Sequence, residues 1–430
     1  MLSLGCNKSQ DARWSLLALC ALLAAFIFAP LASAQSLTLE QQLGKKLFFD
    51  ASLSKTGNQS CGSCHAASVA FTDPDKTHAT SNGDNPLLFG SRNTPMAAYA
   101  AFSPEFGYNS VDGVWQGGQF WDGRAANLEQ QAQGPFINPI EMGNANRAAV
   151  IGKLASGANA SLFQQVYGAG IFADVDTAYV KISQAIASYE RSPEFSPFTS
   201  KYDYVLQGKA KLNIYEQRGL QAFNSASKGN CAACHISDPG PDGSAPLFTD
   251  FTYDNIGIPT NFQSDFLTNP EEFNPDGENF IDLGLGQTVG DPSLYGAFKV
   301  PSLRNVALTA PYGHNGWFDS LEELIDFYAT RDVKTACSAS GITAAQAFAL
   351  NCWPSAELAD TMNVDELGNL PLTARDKANI VAFLNTLTDG YIPASNVPEP
   401  ATWAMLIFGF GWIGTQMRRK SSRHEEKAIA

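Results

Sequence analysis

Several stretches of this chain repeat their apolar residues with the period of an α-helix. Tyr179 to Tyr189 is one. Leu321 to Tyr328 is a second, short one, after a turn at Gly316 and with Ser320 placed as its N-cap. Thr373 to Leu387 is a third, with Ala374, Ile380, Val381, Phe383 and Leu384 on one face and Thr373 as its cap. Two further amphipathic stretches, Leu39–Phe49 and Tyr215–Phe223, carry a Gly and a Phe at matching places, as diverged repeats do. Gly- and Pro-rich loops separate the helices, notably 236–292, where Asp, Asn and Pro are dense. Alternating strand patterns are weak. The pattern predicts a mainly α chain with long loops.

The two ends differ from the middle. Lys8 and Arg13, an apolar run from Trp14 to Leu31 and Ala32-Ser33-Ala34 read as a secretory signal over 1–34; a retained membrane anchor is the competing reading. At the other end Val397-Pro398-Glu399-Pro400 precedes a short apolar run, Ala401–Ile413, and then Arg418-Arg419-Lys420. The run is short for a membrane span, and its basic end belongs on the cytoplasmic side. This order resembles the PEP-CTERM sorting signal of Gram-negative bacteria. The resemblance implies an exosortase-type sorting machinery as partner and delivery to the periplasm, cell envelope or extracellular matrix, with the chain membrane-anchored before tail processing. A plain tail anchor is the alternative. Residues 389–400 read as a linker.

The 430 residues, 44% of them hydrophobic, suffice for two domains with separate cores. Net charge is −14; setting aside the two ends, which carry +1 and +2, leaves −17 on the middle. Such acidity argues against nucleic acid as a partner. It suits attraction of a basic redox protein, and equally suits solubility alone.

The chemistry lies in Cys61-Gly62-Ser63-Cys64-His65 and Cys231-Ala232-Ala233-Cys234-His235. In a Cys-x-x-Cys-His pentad two thioethers fix a haem to the chain and the histidine binds its iron. A zinc site or a thioredoxin-like motif would account for the cysteine pairs but not for a histidine after both. Two covalent haem c groups are the expectation, one per repeat, their histidines 170 residues apart. Cleavage after Ala34 would remove Cys6 and Cys20 and leave Cys337 and Cys352 over, either as a disulfide or as two thiols.

Between the pentads stands Phe120-Trp121-Asp122-Gly123-Arg124, followed by Gln131, Gly134-Pro135 and Pro139-Ile140-Glu141-Met142. After the second pentad comes Val300-Pro301-Ser302-Leu303-Arg304-Asn305-Val306, leading to Thr309-Ala310-Pro311-Tyr312-Gly313-His314. With these blocks in this order the chain resembles the bacterial di-haem cytochrome c peroxidase and MauG family from about Leu39 to Leu387. The resemblance implies two cytochrome-c-like helical domains with the haems facing their interface: a peroxidatic domain over 35–210, an electron-transfer domain over 211–390, and a linker and sorting tail over 391–430.

It also implies site residues. The family's inter-haem tryptophan matches Trp121, and its distal glutamine, proline and glutamate, ten, fourteen and twenty residues on, match Gln131, Pro135 and Glu141. Its interdomain calcium ion matches Asn93 and the carbonyls of Thr309 and Pro311. Its second ligand on the C-terminal iron lies fourteen residues past His314, at Tyr328; methionine is usual there in the peroxidases and tyrosine in the MauG-like branch. The iron ligands implied are thus His65 on haem 1, and His235 with Tyr328 on haem 2. His78 stands in the loop where ordinary family members place a displaceable ligand, although a solvated loop histidine is the stronger reading. His314 is expected beside the haems but off the iron.

Three functions compete. The first is reduction of hydrogen peroxide to water with electrons from a small cytochrome c or cupredoxin. The second is a MauG-like oxidation of side chains on a partner protein. The third is electron transfer without catalysis.

Overall fold

The computed structural model describes residues 36–240 and 242–393. The signal at 1–34 and the sorting tail at 396–430 lie outside the described residues.

The architecture rests on two helix pairs that repeat one device. Helix α1 (Leu39–Phe48) buries Leu43, Gly44, Leu47 and Phe48. The four-residue helix α2 (Leu128–Gln131) starts at the Asn127 cap. Helix α3 (Val175–Glu190) is capped by Asp174, whose carboxylate accepts from the Thr177 N–H. In the second half, α4 (Ile214–Asn224) begins at Asn213 in a capping box with Glu216, α5 (Leu321–Thr330) at Ser320 with Glu323, and α6 (Ala374–Asn385) at Thr373 with Asp376.

Helices α1 and α3 cross where Gly44 lies on the Ala185 carbonyl; a Cβ there would stand 1.9 Å from that oxygen and 2.9 Å from Tyr189 Cβ. Helices α4 and α6 cross in the same way. A Cβ at Gly219 would stand 1.9 Å from the Asn379 carbonyl oxygen and 2.8 Å from Phe383 Cβ. Phe48 and Phe223, one turn after each glycine, are fully buried. The glycine and phenylalanine shared by the two amphipathic stretches are therefore contact residues of equivalent helix pairs.

Around α4 and α6 a single core gathers Phe223, Phe248, Phe318, Phe327, Trp353 and Phe383. Around α1 and α3, Phe48 meets Phe71, Tyr189 and Phe195 edge to face, and Phe71 stacks on Phe195 at 3.8 Å. Among the described residues there are two sheets, both two-stranded and antiparallel. Strands β1 (Gly107–Asn109) and β2 (Val114–Gln116) pair with Tyr108 opposite Trp115, and β3 (Tyr253–Asp254) and β4 (Phe298–Lys299) pair with Tyr253 opposite Lys299. The fold is mainly helical with long loops, as the sequence predicts. The 236–292 stretch is mostly loop, with a short helix at Gly284–Val289.

The halves are joined by buried charge. Arg304 is 1% exposed and makes two bonds, of 3.0 and 2.8 Å, to the Asp203 carboxylate. Arg92 bridges Asp122 and Asp282, with 2.6 Å contacts to each. Cys337 and Cys352 form a disulfide, which selects between the two readings left open above.

Two expectations need correction. Ala374 is exposed, because at the first turn of α6 the chain has not yet reached the core. The start of the supposed linker is fastened down: Asp389 accepts from the Tyr99 hydroxyl, the Thr199 N–H and the Asn305 amide, and the Tyr391 N–H donates to the Thr199 carbonyl. The remainder, from 394, lies outside the described residues.

The helix crossing can be tested. Gly219→Ala is expected to lower the stability of the folded protein by about 1–3 kcal/mol, because the helices must separate. Gly152→Ala, whose Cβ would meet nothing within 4 Å, is expected to be neutral or stabilising by up to about 1 kcal/mol. Denaturant titration separates the two; equal midpoints would show that the crossing is not close.

Candidate active site

Each pentad is presented by a tight turn. Cys61–Cys64 is one helical turn, with Ser63 Oγ accepting from the Ser60 N–H at 3.0 Å. A Cβ at Gly62 would lie 2.3 Å from the Phe49 ring, so a larger residue at that position would have to displace the ring. Cys231–Ala233 is a 3-10 turn. The two histidines are held alike. His65 Nδ1 lies 2.9 Å from the Phe71 carbonyl, and His235 Nδ1 lies 2.8 Å from the Phe248 carbonyl. Those two phenylalanines have φ of +58° and +56°, in the left-handed region. A carbonyl acceptor fixes the proton on Nδ1 and leaves Nε2 for a metal. Burial holds both imidazoles below their ordinary pKa and hence neutral.

None of the four pentad cysteines forms a disulfide, and both pentads open onto one continuous cavity of about 650 Å³. Burial pushes the thiols up, Cys64 to about 11 and Cys231 and Cys234 to about 12. Among the described residues the two cysteine pairs do not converge on a common point; the one cluster with metal-ligand spacing joins Cys234 to Asp254 and Glu366. That rules against a four-cysteine zinc site. Two neutral imidazoles held at Nδ1, each beside a cysteine pair on a shared cavity, fit two covalently attached haems.

The first pocket contains the three residues expected there. Gln131 ends α2, while Pro135 and Glu141 follow in the next loop, and all three line the cavity with Cys61, Cys64 and His65. The backbone of Glu141 is fixed by its carbonyl, which accepts from the Asp84 N–H at 2.6 Å. Burial raises its carboxyl above the ordinary range, opposed by Arg124 and by a hydrogen bond from Asn138. Arg124 in turn lies 3.6 Å over the Phe120 ring and pairs with Asp122.

Trp121 is tied to both halves. Its Nε1–H donates to the Asn93 carbonyl at 2.8 Å, and its carbonyl accepts from the Lys299 N–H at 2.8 Å. It lines the cavity with residues of both pockets.

In the second pocket, Tyr328 on α5 lines the cavity with His235. Burial raises its phenol strongly, helped by the pentad thiols and Asp254. Its carbonyl accepts from the Gly368 N–H at 2.7 Å. Asn93, Thr309 and Pro311 all line the cavity, and the Asn93 Nδ2–H donates to the Pro311 carbonyl at 2.6 Å. Turning that amide over would offer two neutral oxygens to a hard cation.

His78 does not line the cavity. Its Nδ1 pairs with Asp265 at 2.7 Å, both side chains are partly exposed, and its ring leans on Phe89. The solvated-loop reading is the one the geometry favours. His314 is buried, stacks on Phe298 at 3.6 Å, and has no partner at Nε2. Burial pushes it down to about 4, so it is neutral at physiological pH.

Two buried groups escaped the sequence reading. Lys299, whose Nζ donates to the Gly118 carbonyl, has its ammonium pushed down to about 7 by burial, opposed by Asp122. Glu190, the last residue of α3, is 6% exposed and lines the cavity. The signal for Glu190 was a charged residue on the apolar face of its helix.

Fold and site together define a helical oxidoreductase built around two c-type haems. A family model for di-haem cytochrome c peroxidase matches residues 39–211. The chain is 39% identical over 355 residues to methylamine utilization protein MauG of Paracoccus denitrificans, across 81% of this chain and 88% of that protein. It is 30% identical to cytochrome c551 peroxidase of Nitrosomonas europaea, across 66% and 71% of the two chains. The diheme peroxidase BthA of Burkholderia thailandensis, solved as a Y463M variant, superposes with a TM-score of 0.70 at 30% identity, covering 84% of this chain and 87% of that one. The chain belongs to the di-haem cytochrome c peroxidase and MauG family.

Attachment is read directly by mass. The denatured protein is expected to carry two haems; Cys61→Ala with Cys64→Ala removes one of them, and Cys231→Ala with Cys234→Ala removes the other. Loss of both haems from either double variant would contradict independent attachment.

Proposed function

We propose that this protein reduces hydrogen peroxide to water with electrons from an external redox protein. The observation that carries the reading is the first pocket: a buried carboxyl with a raised pKa, Glu141, faces the same cavity as Gln131, Pro135 and the pinned His65. Bound haem supplies the redox-active iron that accepts peroxide and passes electrons. The chain's own residues do the rest. Glu141 takes the proton from the inner peroxide oxygen and returns it to the outer oxygen, which leaves as water. Gln131 orients peroxide by a hydrogen bond, and Pro135 shapes the wall without adding a donor. Trp121, bonded to both halves, is the bridge for electrons between the pockets.

In this reading the N-terminal half to about residue 210 is the peroxidatic domain and the half from 211 the electron-transfer domain. His65 holds the first iron, and His235 with Tyr328 the second. The donor is a small cytochrome c or cupredoxin, drawn by the acidic surface. Calcium on Asn93, Thr309 and Pro311 would stiffen the wall beside Trp121. The protein is exported to the periplasm or envelope through its N-terminal signal and its PEP-CTERM-like tail, the latter handled by an exosortase. Among the described residues no helix is long and apolar enough to cross a membrane.

Tyr328 and the 39% identity to a MauG protein favour a second reading, oxidation of side chains on a partner protein. The two part on one assay: a peroxidase turns over peroxide with reduced cytochrome c, and a MauG-like oxidase does so poorly.

Glu141→Gln is expected to slow peroxide consumption by ~10²–10⁴ while leaving haem content and electron uptake unchanged. A non-catalytic carrier would show no peroxide consumption in either form. Tyr328→Phe is expected to alter the low-temperature paramagnetic resonance signal of one ferric centre and not the other; unchanged spectra would remove Tyr328 from the iron.

A further inference from the structure

The equivalence of the two helix pairs exposes one residue that breaks it. Tyr189 follows Ala185 at the first crossing as Phe383 follows Asn379 at the second. The next position on each helix reaches the cavity. In the second half it is Leu384, as an apolar wall requires. In the first half it is Glu190, 6% exposed, with no hydrogen-bond partner for Oε2. Ile186 and Ile380, one turn earlier on each helix, are both buried and apolar. The substitution is therefore confined to one position of a shared frame, and it places a carboxyl where burial without a partner is costly.

The surroundings give this carboxyl a direction. On its outer side stands the Arg191–Glu129 ion pair, 44% and 32% exposed. On its inner side is the Cys61 sulfur, which feels the fields of both Glu190 and Glu141. Lys45, the nearby cation of α1, is committed to Glu194 at 2.7 Å. Arg191 and Glu129 are thus the charged groups facing Glu190, and Cys61, a thioether once haem is attached, does not titrate. Burial, reinforced by Glu129 and opposed by Arg191, pushes its carboxyl up to about 8.

The reaction proposed above has a proton requirement that Glu141 does not meet. Peroxide takes two electrons and two protons; its O–O bond breaks and two O–H bonds form. Glu141 only moves a proton already on peroxide from one oxygen to the other, a transfer with no net supply. Resting on that reading, we propose that Glu190 is the proton reservoir of the first pocket. It holds a proton inside the cavity, releases it toward the site served by Glu141, and is reloaded from solvent past the Arg191–Glu129 pair.

The test compares haem-loaded wild type with Glu190→Gln, Glu190→Asp and Glu190→Leu, the last copying position 384. Infrared spectra of the resting protein at pH 7 are expected to show protonated-carboxyl absorption, shifted in heavy water, one component of which is lost in the Gln and Leu variants while that of other buried carboxyls such as Glu141 remains. With peroxide and reduced cytochrome c, the Gln and Leu variants are expected to be at least about tenfold slower. They should also lack the wild-type fall in rate near pH 8, and Asp should restore part of the rate and the pH dependence. Protonated-carboxyl absorption that is the same in the wild type and the Gln variant overturns the proposal. So does wild-type turnover matched by the Leu variant in rate and pH profile, with the peroxidase reading intact. Absence of peroxide turnover in the wild type removes both. Glu190→Gln is isosteric, and an unchanged haem spectrum and melting midpoint identify it as folded.

Discussion

The close approach of helix backbones at Gly44 and Gly219 is the constraint from which the rest of the molecule follows. At each crossing a glycine lies against a carbonyl, so that any side chain would drive the helices apart. Contact at that distance fixes the angle and register of the pair. Register decides which residues of the later helix face outward and which face the cavity: Ile186 and Glu190 in one half, Ile380 and Leu384 in the other. The aromatic residues around each crossing then lock it edge to face, Phe48 with Tyr189 and Phe223 with Phe383. Offset ring contacts of this kind contribute about 0.5–1.5 kcal/mol each beyond their burial.

A second constraint is local and is also duplicated. Each pentad histidine needs an acceptor for Nδ1–H, and in both halves the acceptor is a phenylalanine carbonyl in left-handed conformation. A bulky residue in that region costs of order 1–3 kcal/mol. Both halves meet that cost the same way, by burying the ring in the aromatic cluster of the adjoining helix pair: Phe71 against Phe48 and Phe195, Phe248 against Tyr202 and Phe223. The helix crossing therefore supports the histidine through a ring, and the histidine is the point at which the fold meets its cofactor.

Much of this was legible in the sequence because it is written in short-range signals. The pentads, the caps at Ser320 and Thr373, and the paired Gly and Phe of α1 and α4 are each local patterns. The blocks carrying Trp121, Gln131 and Glu141 were legible through family resemblance, since nothing in their spacing alone brings them to one cavity. What was missed depends on long-range contact. Residues 389–391 read as linker because polar residues look solvated until Tyr99, Thr199 and Asn305 are seen to bind Asp389. Cys337 and Cys352 could not be paired without knowing that their loop closes. Glu190 was passed over because hydropathy assigns glutamate to the surface, and because α3 and α6 had not been set beside each other as the second members of a repeat.

Setting them side by side explains how one frame can serve two tasks. The halves share the crossing glycine, the buried phenylalanine, the pentad and the pinned imidazole. They differ in what reaches the cavity: Gln131, Pro135, Glu141 and Glu190 from the first half, and Tyr328 and Leu384 from the second. Carboxyls in a low-dielectric wall favour their neutral form, and burial raises both Glu141 and Glu190. The carboxyls of the second pocket, Asp254 and Glu366, cluster beside Cys234 instead. In the proposed reading the shared frame keeps the two cofactor sites in fixed relation, while a handful of residues facing the cavity suit one of them to proton chemistry and the other to carrying charge.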